Sequence, residues 1–340
     1  NVGIAYYDAT NRSLKYASYL SNPINTWTFF TVDAAPPTPG VVRGTHTSMK
    51  FNKDGVPVIG YHVLTLLPSY GAVKVAKLVS SGGTGCGGGS PSWTCQTIEG
   101  LMNYNDHGSH VSIDFDSNNK LYVAFFNAAN NSLSYAWEVD NGGSCHNNSE
   151  WDCVMIDQGP GRGKFISMHA KNSPAEPMRF TYYDENEGKI RYAEWVGGTN
   201  GNCLNKAFDC YAVDTVGTTI GNYGLSMDVD LQGYPIIAYM DVSEDTAPAM
   251  LKIARPAPAY GVPHGNCGDV PPGDLFQYWT CKTIDGGSYY SDEAEFVGVS
   301  VNPAGLATVA YSEYNHYYLD RFRLKVAKQH FETYLPLIKK

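Results

Sequence analysis

The chain has 340 residues and a net charge of -9, with 17% charged residues, 25 tyrosines and 35 glycines. This composition favours β-sheet joined by turns over long surface helices. The acidic balance and the lack of a basic stripe argue against a nucleic-acid partner, and the sequence has no apolar run of about 18 residues that would span a membrane.

A two-part pattern recurs six times along the chain. The first part is an apolar run with an aromatic residue, such as Ile4-Ala5-Tyr6, and the second is a run such as Leu14-Lys15-Tyr16-Ala17. The aromatic position recurs at Tyr6, Tyr61, Phe125, Tyr182, Tyr239 and Tyr311. Short runs of this composition between turn signals are typical of β-strands. We interpret them as strands B and C of a repeated unit.

Two further strands complete the unit. Strand A is an alternating run such as Ser112-Ile113-Asp114-Phe115, and a turn rich in Asn, Asp or Gly follows it. Strand D contains Trp or Phe and ends in an apolar residue and an acid, as in Val32-Asp33. Four such strands repeated six times predict an all-β fold, a six-bladed β-propeller of four-stranded antiparallel blades.

The blade boundaries follow from the repeat. We place one domain at residues 1–330, with blades at about 1–38, 45–100, 109–158, 164–215, 224–286 and 296–330, and a tail at 331–340. Copy 1 begins inside a repeat at strand B, which suggests a mature or trimmed chain and leaves strand A missing. A preceding segment, the tail, or a strand donated by a neighbouring subunit are three ways to complete that blade.

The eight cysteines fall in pairs within copies 2 to 5. In each pair the first cysteine lies in a Gly-rich loop and the second in strand D. Their spacings of about 7 to 14 residues differ from the closer Cys-x-x-Cys spacing typical of zinc sites. The repeat therefore predicts four disulfides within blades: Cys86–Cys95, Cys145–Cys153, Cys203–Cys210 and Cys267–Cys281. Such bonds indicate an exported protein, extracellular or at the cell surface.

Charged residues recur beside strands B and C. Acids or their amide follow strand B at Asp8, Asn127, Asp184, Asp241 and Glu313, and bases lie in strand C at Lys15, Lys74, Arg191, Lys252 and Lys325. We interpret them as cross-strand pairs of the scaffold. The alternative is a set of polar pockets repeated from blade to blade.

Residues that break the repeat are better candidates for a binding site. His46 and His110 precede strand A in copies 2 and 3, and polar residues in neighbouring entry loops are Arg43, Asp106, His107 and Arg162. Such a cluster could bind an anion, a sugar or a metal, with Tyr223 among the loop tyrosines available for stacking on a sugar. Ordinary polar loop residues are the alternative.

No contiguous catalytic motif is present, and we assign no catalytic residue and no cofactor. Asp116, Asn118 and Asp230 could ligate calcium, but turn chemistry accounts for them. Glycosylation sequons occur at Asn11, Asn130 and Asn147.

The repeated runs Ile-Ala-Tyr-Tyr-Asp, Leu-Lys-Tyr-Ala, Trp-Thr and Ser-Met-Asp-Val-Asp resemble bacterial exported proteins with BNR/sialidase-like or lectin-like propeller repeats. The resemblance extends from Val2 to about Lys328, without the contiguous Asp-box Ser-x-Asp-x-Gly-x-Thr-Trp. It implies the propeller fold.

For function, we predict a non-enzymatic structural or adhesive module whose partner is a protein, including a second copy of itself, or a glycan. It would be able to self-assemble by strand pairing at the seam between copy 1 and the C-terminus. The alternatives are a lectin with sites between blades and a glycoside hydrolase with its site at a channel mouth.

Overall fold

The computed structural model describes residues 2–20, 25–66, 69–87, 92–100, 107–146, 148–171, 176–217, 224–242, 249–261, 264–270, 276–286, 291–315 and 321–329. These residues form antiparallel strands and one 3₁₀ helix, Ala257–Tyr260. They divide into two compact units, Asn1–Ile220 and Gly221–Lys340. No helix within the described ranges is long and apolar enough to cross a membrane.

The first unit contains four sheets, which are blades 1 to 4. Blade 1 consists of β1 (Val2–Asp8), β2 (Ser13–Leu20) and β3 (Thr26–Asp33). Blade 2 consists of β4 (Val41–Phe51), β5 (Pro57–Leu66), β6 (Ser69–Leu78) and β7 (Trp93–Gly100). Blade 3 consists of β8 (His107–Phe115), β9 (Leu121–Asn127), β10 (Ser132–Glu138) and β11 (Trp151–Gln158). Blade 4 consists of β12 (Arg162–His169), β13 (Arg179–Asp184), β14 (Lys189–Trp195) and β15 (Phe208–Thr215).

The second unit contains blades 5 and 6. Blade 5 consists of β16 (Leu225–Val229), β17 (Pro235–Asp241), β18 (Met250–Pro256) and β19 (Trp279–Asp285). Blade 6 consists of β20 (Ser291–Val301), β21 (Ala307–Asn315) and β22 (Arg321–Lys328). In every sheet the strands pair antiparallel in chain order.

This architecture confirms the predicted all-β, six-bladed β-propeller. Blades 2 to 5 have four strands, whereas the described residues of blades 1 and 6 supply three each. The tail at 331–340 lies outside the described residues, so strand donation at the seam stays a prediction.

The turns between the first two strands of a blade form because one side chain binds two backbone groups. Asp116 Oδ1 accepts hydrogen bonds at 2.9 Å from the N–H groups of Asn118 and Lys120. Asp230 Oδ1 holds its own turn in the same way, through the N–H groups of Gln232 and Tyr234. All three calcium candidates, Asp116, Asn118 and Asp230, therefore take part in turn chemistry.

The blade cores are built from the aromatic and Trp positions of the repeat. Trp93, Trp151 and Trp279 are fully buried. All four predicted disulfides are present, each joining a loop to the last strand of its own blade. The disulfides thus pin four Gly-rich loops that have little apolar surface of their own.

Neighbouring blades are joined along their innermost strands by serine hydroxyls. Ser48 Oγ accepts a hydrogen bond from Ile113 N–H, and Ser112 Oγ accepts one from Met168 N–H, both at 3.1 Å. Ser226 Oγ makes the same bond to Val299 N–H in the second unit. The recurring serine of strand A is therefore a scaffold residue.

Within each unit, an acid that ends an outermost strand receives donors from the following blade. Asp33 accepts hydrogen bonds from Tyr61 Oη at 2.6 Å and Lys74 Nζ at 3.2 Å. Asp285 is bound in the same manner, by groups of Tyr311 and Lys325. Cross-strand pairs such as Arg191–Asp184, at 2.9 Å, agree with the predicted scaffold role of the repeated charges.

Candidate functional site

His46 and His110, two of the three predicted site histidines, lie within strands, which corrects their expected position before strand A. His46 belongs to β4 and His110 to β8, at places where the strand register shifts. Both adopt a left-handed backbone conformation, with φ of 49° and 55°, as does Phe165 in β12 with φ of 50°. The bulge therefore belongs to the blade scaffold, and only its side chain varies.

A preceding glycine makes each bulge possible. Gly44 has φ of +98°, and a Cβ there would lie 2.7 Å from the Leu14 Cα. Gly108 and Gly163 occupy the same place before His110 and Phe165, with φ of +95° and +103°. The sequence pattern Gly-x-His/Phe-x-Ser thus encodes a bulge that brings three consecutive blades into close contact.

The structure brings the bulge side chains together in a column. The ring centres of His46 and His110 are 4.3 Å apart, and those of His110 and Phe165 are 4.5 Å apart. Buried His62 lies 5.8 Å from His46 and shares a hydrogen bond with the Thr45 hydroxyl. Burial, followed by the charges of His46, Lys164 and His62, holds the pKa of His110 well below its usual value.

The two predicted site arginines belong to strands and pair with scaffold acids. Arg43 in β4 forms an ion pair with Asp33. Arg162 begins β12 and contacts Asp157, Asp184 and Glu187 at 3.4, 2.8 and 2.9 Å. These equivalent arginines lie in different blades and hold acids of their own blade interfaces. They are therefore not assembled into one anion site.

The pKa of Glu187 shows that the carboxylates around Arg162 are already paired with cations. Burial raises its pKa, but the hydrogen bond from Lys189, the charge of Arg191 and the hydrogen bond from Arg162 outweigh that effect. The pKa of Glu187 falls to about 2. A carboxylate held this firmly is a poor proton donor at neutral pH.

The remaining predicted positions add little to the site. Asp106, Tyr223 and the sequon residue Asn147 lie outside the described residues, and only the backbone of His107 is described, at the start of β8. Asn11 and Asn130 are exposed, and the Asn11 amide donates to Asp8 at 2.7 Å.

A different carboxylate pair lies at the other end of the innermost strands. His169, the last residue of β12, has Nδ1 at 3.9 Å from Asp114 Oδ2 and Nε2 at 3.6 Å from Glu176 Oε1. Lys50 lies 3.3 Å from Asp114, and Arg179 donates to Glu176 at 2.9 Å. Asp114 and Glu176, named here the carboxylate pair, retain 13% and 15% side-chain exposure and so remain within reach of solvent.

Close to this pair, blades 3 and 4 enclose a groove with aromatic walls. Its lining residues, named here the aromatic groove, are Tyr122, Tyr135, Trp137, Lys171, Met178 and Trp195. Trp195 is 44% exposed, whereas Tyr122 and Tyr135 are buried at the base. Lys171 is two residues from His169 and Met178 is two residues from Glu176, so the groove and the carboxylate pair share one side of these blades.

Sequence analysis missed both features for identifiable reasons. His169 stands where the other copies have Lys50, Asp114, Asp228 and Ser300, and Trp137 and Trp195 lie near the end of strand C in copies 3 and 4. These departures from the repeat were visible in the sequence. Their convergence was not, because it depends on which strands lie side by side.

The fold has many solved counterparts, although no protein-family model and no curated protein sequence matches the chain. A Dyadobacter fermentans protein of unknown function is 10% identical, with a TM-score of 0.54, over 93% of this chain and 83% of that one. The intramolecular trans-sialidase from Ruminococcus gnavus is 8% identical, with a TM-score of 0.47, over 96% and 94%. The GH93 α-L-arabinofuranosidase of Fusarium graminearum is 9% identical, with a TM-score of 0.45, over 94% and 86%.

These comparisons correct two of our predictions. The named counterparts include trans-sialidase, arabinanase and arabinofuranosidase enzymes, so the prediction of a non-enzymatic structural or adhesive module is corrected. The prediction of no enzymatic activity is wrong for the same reason. Identities of 8 to 12% establish the fold alone, so any activity rests on the geometry of the site.

Proposed function

We propose that the protein is an extracellular glycan-cleaving enzyme that uses Asp114 and Glu176 as its acid and base. The observation that carries this proposal is the position of the carboxylate pair on opposite edges of the His169 imidazole. The four disulfides support export, and the aromatic groove beside the pair offers surfaces on which a sugar ring can stack.

The separation of the carboxylates suits hydrolysis of a glycosidic bond. The two contacts to His169 set an upper limit of roughly 10 Å on the separation of Asp114 and Glu176, because one imidazole spans the gap. Inverting glycosidases keep their acid and base about 6.5 to 9.5 Å apart, which leaves room for the attacking water. One carboxyl group would protonate the departing oxygen while the other takes a proton from that water.

The pair also differs from the closed Arg162 cluster. Asp184 and Glu187 are each contacted by both Arg162 and Arg191, at 2.8 to 2.9 Å. Asp114 and Glu176 have one cation each, Lys50 at 3.3 Å and Arg179 at 2.9 Å, and the His169 imidazole lies between them. His169 is therefore proposed as a positioning residue for both carboxylates.

The test is release of reducing ends from a panel of neutral and anionic polysaccharides. Asp114→Asn and Glu176→Gln are each expected to lower kcat by about 100-fold or more, since a positioned acid or base contributes that much. Asn and Gln keep the oxygen acceptors, so folding is expected to survive, which circular dichroism would check.

Asp228→Asn is the matched control. Asp228 Oδ2 accepts the Val301 N–H at 2.7 Å, as Asp114 Oδ2 accepts the Ala170 N–H at 2.9 Å. Activity equal to the parent protein is expected from this variant. Equal losses in both aspartate variants, or no cleavage of any glycan in the panel, would overturn the proposal.

A further inference from the structure

The aromatic groove has a counterpart in the second unit, and the comparison shows what is special about it. Between blades 5 and 6 a groove is lined by Ile236, Ile253, Ile284, Ala307, Val309 and Ala327, with Arg255, Lys282, Lys328 and Gln329. The strand registers make the two grooves equivalent: Val123 pairs with Ala136 as Ile237 pairs with Ala254. Likewise Trp195 N–H donates to Met178 O as Gln329 N–H donates to Ala307 O, both at 2.9 Å.

The two grooves therefore share a backbone arrangement, but the side chains at equivalent positions differ in chemical type. Trp137 stands where the second groove has Arg255, and Trp195 stands where it has Gln329. Tyr122 and Tyr135 replace Ile236 and Ile253 at the base. A groove that only filled space between blades would not need aromatic residues at all four of these positions, because the second groove packs the same scaffold with two isoleucines, an arginine and a glutamine.

Two lysines give the aromatic groove a positive rim. Lys120 Nζ lies 5.7 Å from the ring centre of Tyr122 and 5.5 Å from that of Trp137. Lys171 Nζ lies 5.9 Å from the ring centre of Trp195. Within the described part of the chain, no ion pair is formed by either amine, and an acid beside the groove, Asp116, hydrogen-bonds the Tyr122 side chain.

We propose that the aromatic groove binds an anionic saccharide, such as a uronic acid or a sulfated sugar. The C–H face of the sugar would stack on Trp195 and Trp137, and its carboxylate or sulfate would approach Lys171 and Lys120. A neutral sugar would use the aromatic faces alone. The inference rests on the proposed glycan-cleaving function, because it names the class of saccharide that the site accepts.

Binding is measured by calorimetric titration in the Glu176→Gln background, so that the saccharide is not consumed. The probes are oligogalacturonate, a sulfated galactose oligosaccharide and a neutral galactose oligosaccharide of equal length. We expect both anionic probes, or one of them, to bind at least about tenfold more tightly than the neutral one, an advantage that weakens as salt rises. The two anionic arms separate carboxylate from sulfate recognition.

Groove variants assign the binding to these residues. Trp195→Ala should weaken all probes about tenfold through lost stacking, whereas Lys171→Gln should weaken only the anionic probes. The matched controls are Trp27→Ala in blade 1 and Lys206→Gln on the exposed surface of blade 4. Neither control should change affinity.

Each outcome bears on one proposal. Equal affinity for neutral and anionic probes, or equal effects of Lys171→Gln and Lys206→Gln, would overturn the anionic-saccharide inference while leaving cleavage intact. Anionic binding through the groove without cleavage by the parent protein would overturn the enzymatic proposal and support the groove. Absence of binding by every probe would overturn the inference as well.

Discussion

At the scale of single residues, the bulge in the innermost strands separates backbone requirements from side-chain choice. His46, His110 and Phe165 have the same left-handed conformation after the same kind of glycine. The blade therefore specifies the backbone, and an imidazole or a phenyl ring fits the column equally well. An unusual φ at these histidines is consequently not a sign of function.

Stability should fall in mild acid because of His110. Its pKa is lowered in the folded state, whereas the unfolded chain has the ordinary value of about 6.5. The unfolded state therefore binds more protons as the pH drops, and stability that is fully present above about pH 6.5 is lost as pH falls toward the folded pKa. His110→Phe, which copies Phe165, should reduce the difference between urea midpoints measured at pH 8 and pH 5.

The control for this experiment is His264→Phe. His264 is exposed and stacks on Phe276 at 3.6 Å. Its replacement should leave the pH dependence of the midpoint as it is in the parent protein. An unchanged pH dependence in His110→Phe would show that other groups cause the acid sensitivity.

Residue roles were predictable where the repeat itself explains them. The four cysteine pairs and the scaffold acids follow from positions that recur in register. The carboxylate pair was not predictable, because Glu176 lies in a connection between strands and meets His169 only through the fold. Arg43 and Arg162 misled the prediction because a sequence does not show that a charge already has a partner.

At the scale of strands, the serine hydroxyls between blades are the element-to-element contact most open to a test. Ser112→Ala removes the acceptor for the buried Met168 N–H. A buried donor left unpaired costs about 1 to 3 kcal/mol, so the free energy of unfolding should fall by that amount. Urea denaturation followed by tyrosine and tryptophan fluorescence measures it.

Ser117→Ala serves as the comparison, since Ser117 is exposed in a turn of the same blade. Surface changes of this kind alter stability by less than about 0.5 kcal/mol. Similar losses in the two variants would contradict a structural role for the inter-blade hydroxyl.

Strand positions were predicted well, and the one systematic error has a physical cause. We placed His46 and His110 before strand A, but the strands begin earlier and pass through a bulge. At the bulge two register shifts, each with one extra residue, interrupt the alternation of apolar and polar residues. A prediction based on alternating apolar and polar residues therefore begins strand A only after the bulge.

For the whole molecule, the disulfides make folding depend on the redox environment. The four bonds close short loops with sequence separations of 7 to 14 residues. Each is worth roughly 2 to 3 kcal/mol. Together they are comparable to the entire net stability of a typical protein, about 5 to 15 kcal/mol. Production in an oxidising compartment should therefore yield folded protein, and production in a reducing cytosol should yield mostly aggregated chain.

The measurement is the yield of soluble, thermally cooperative protein from each compartment. Titration of free thiols under denaturing conditions should find none in the oxidised product, as expected from the pairing of all eight cysteines. If the reducing cytosol gave an equal yield of stable protein with free thiols, the loops would be shown to fold without the disulfide bonds.

The serine and acid contacts between blades also have a direction. In blades 2 to 4 the serine acceptor is on the earlier blade and the N–H donor is on the next one, and blades 5 and 6 repeat that order. Asp33 likewise accepts hydrogen bonds from Tyr61 and Lys74, which follow it in the chain and are synthesised later. Within each unit a finished blade thus offers acceptors to its successor, so the blades of one unit can fold in order as the chain emerges from its amino end.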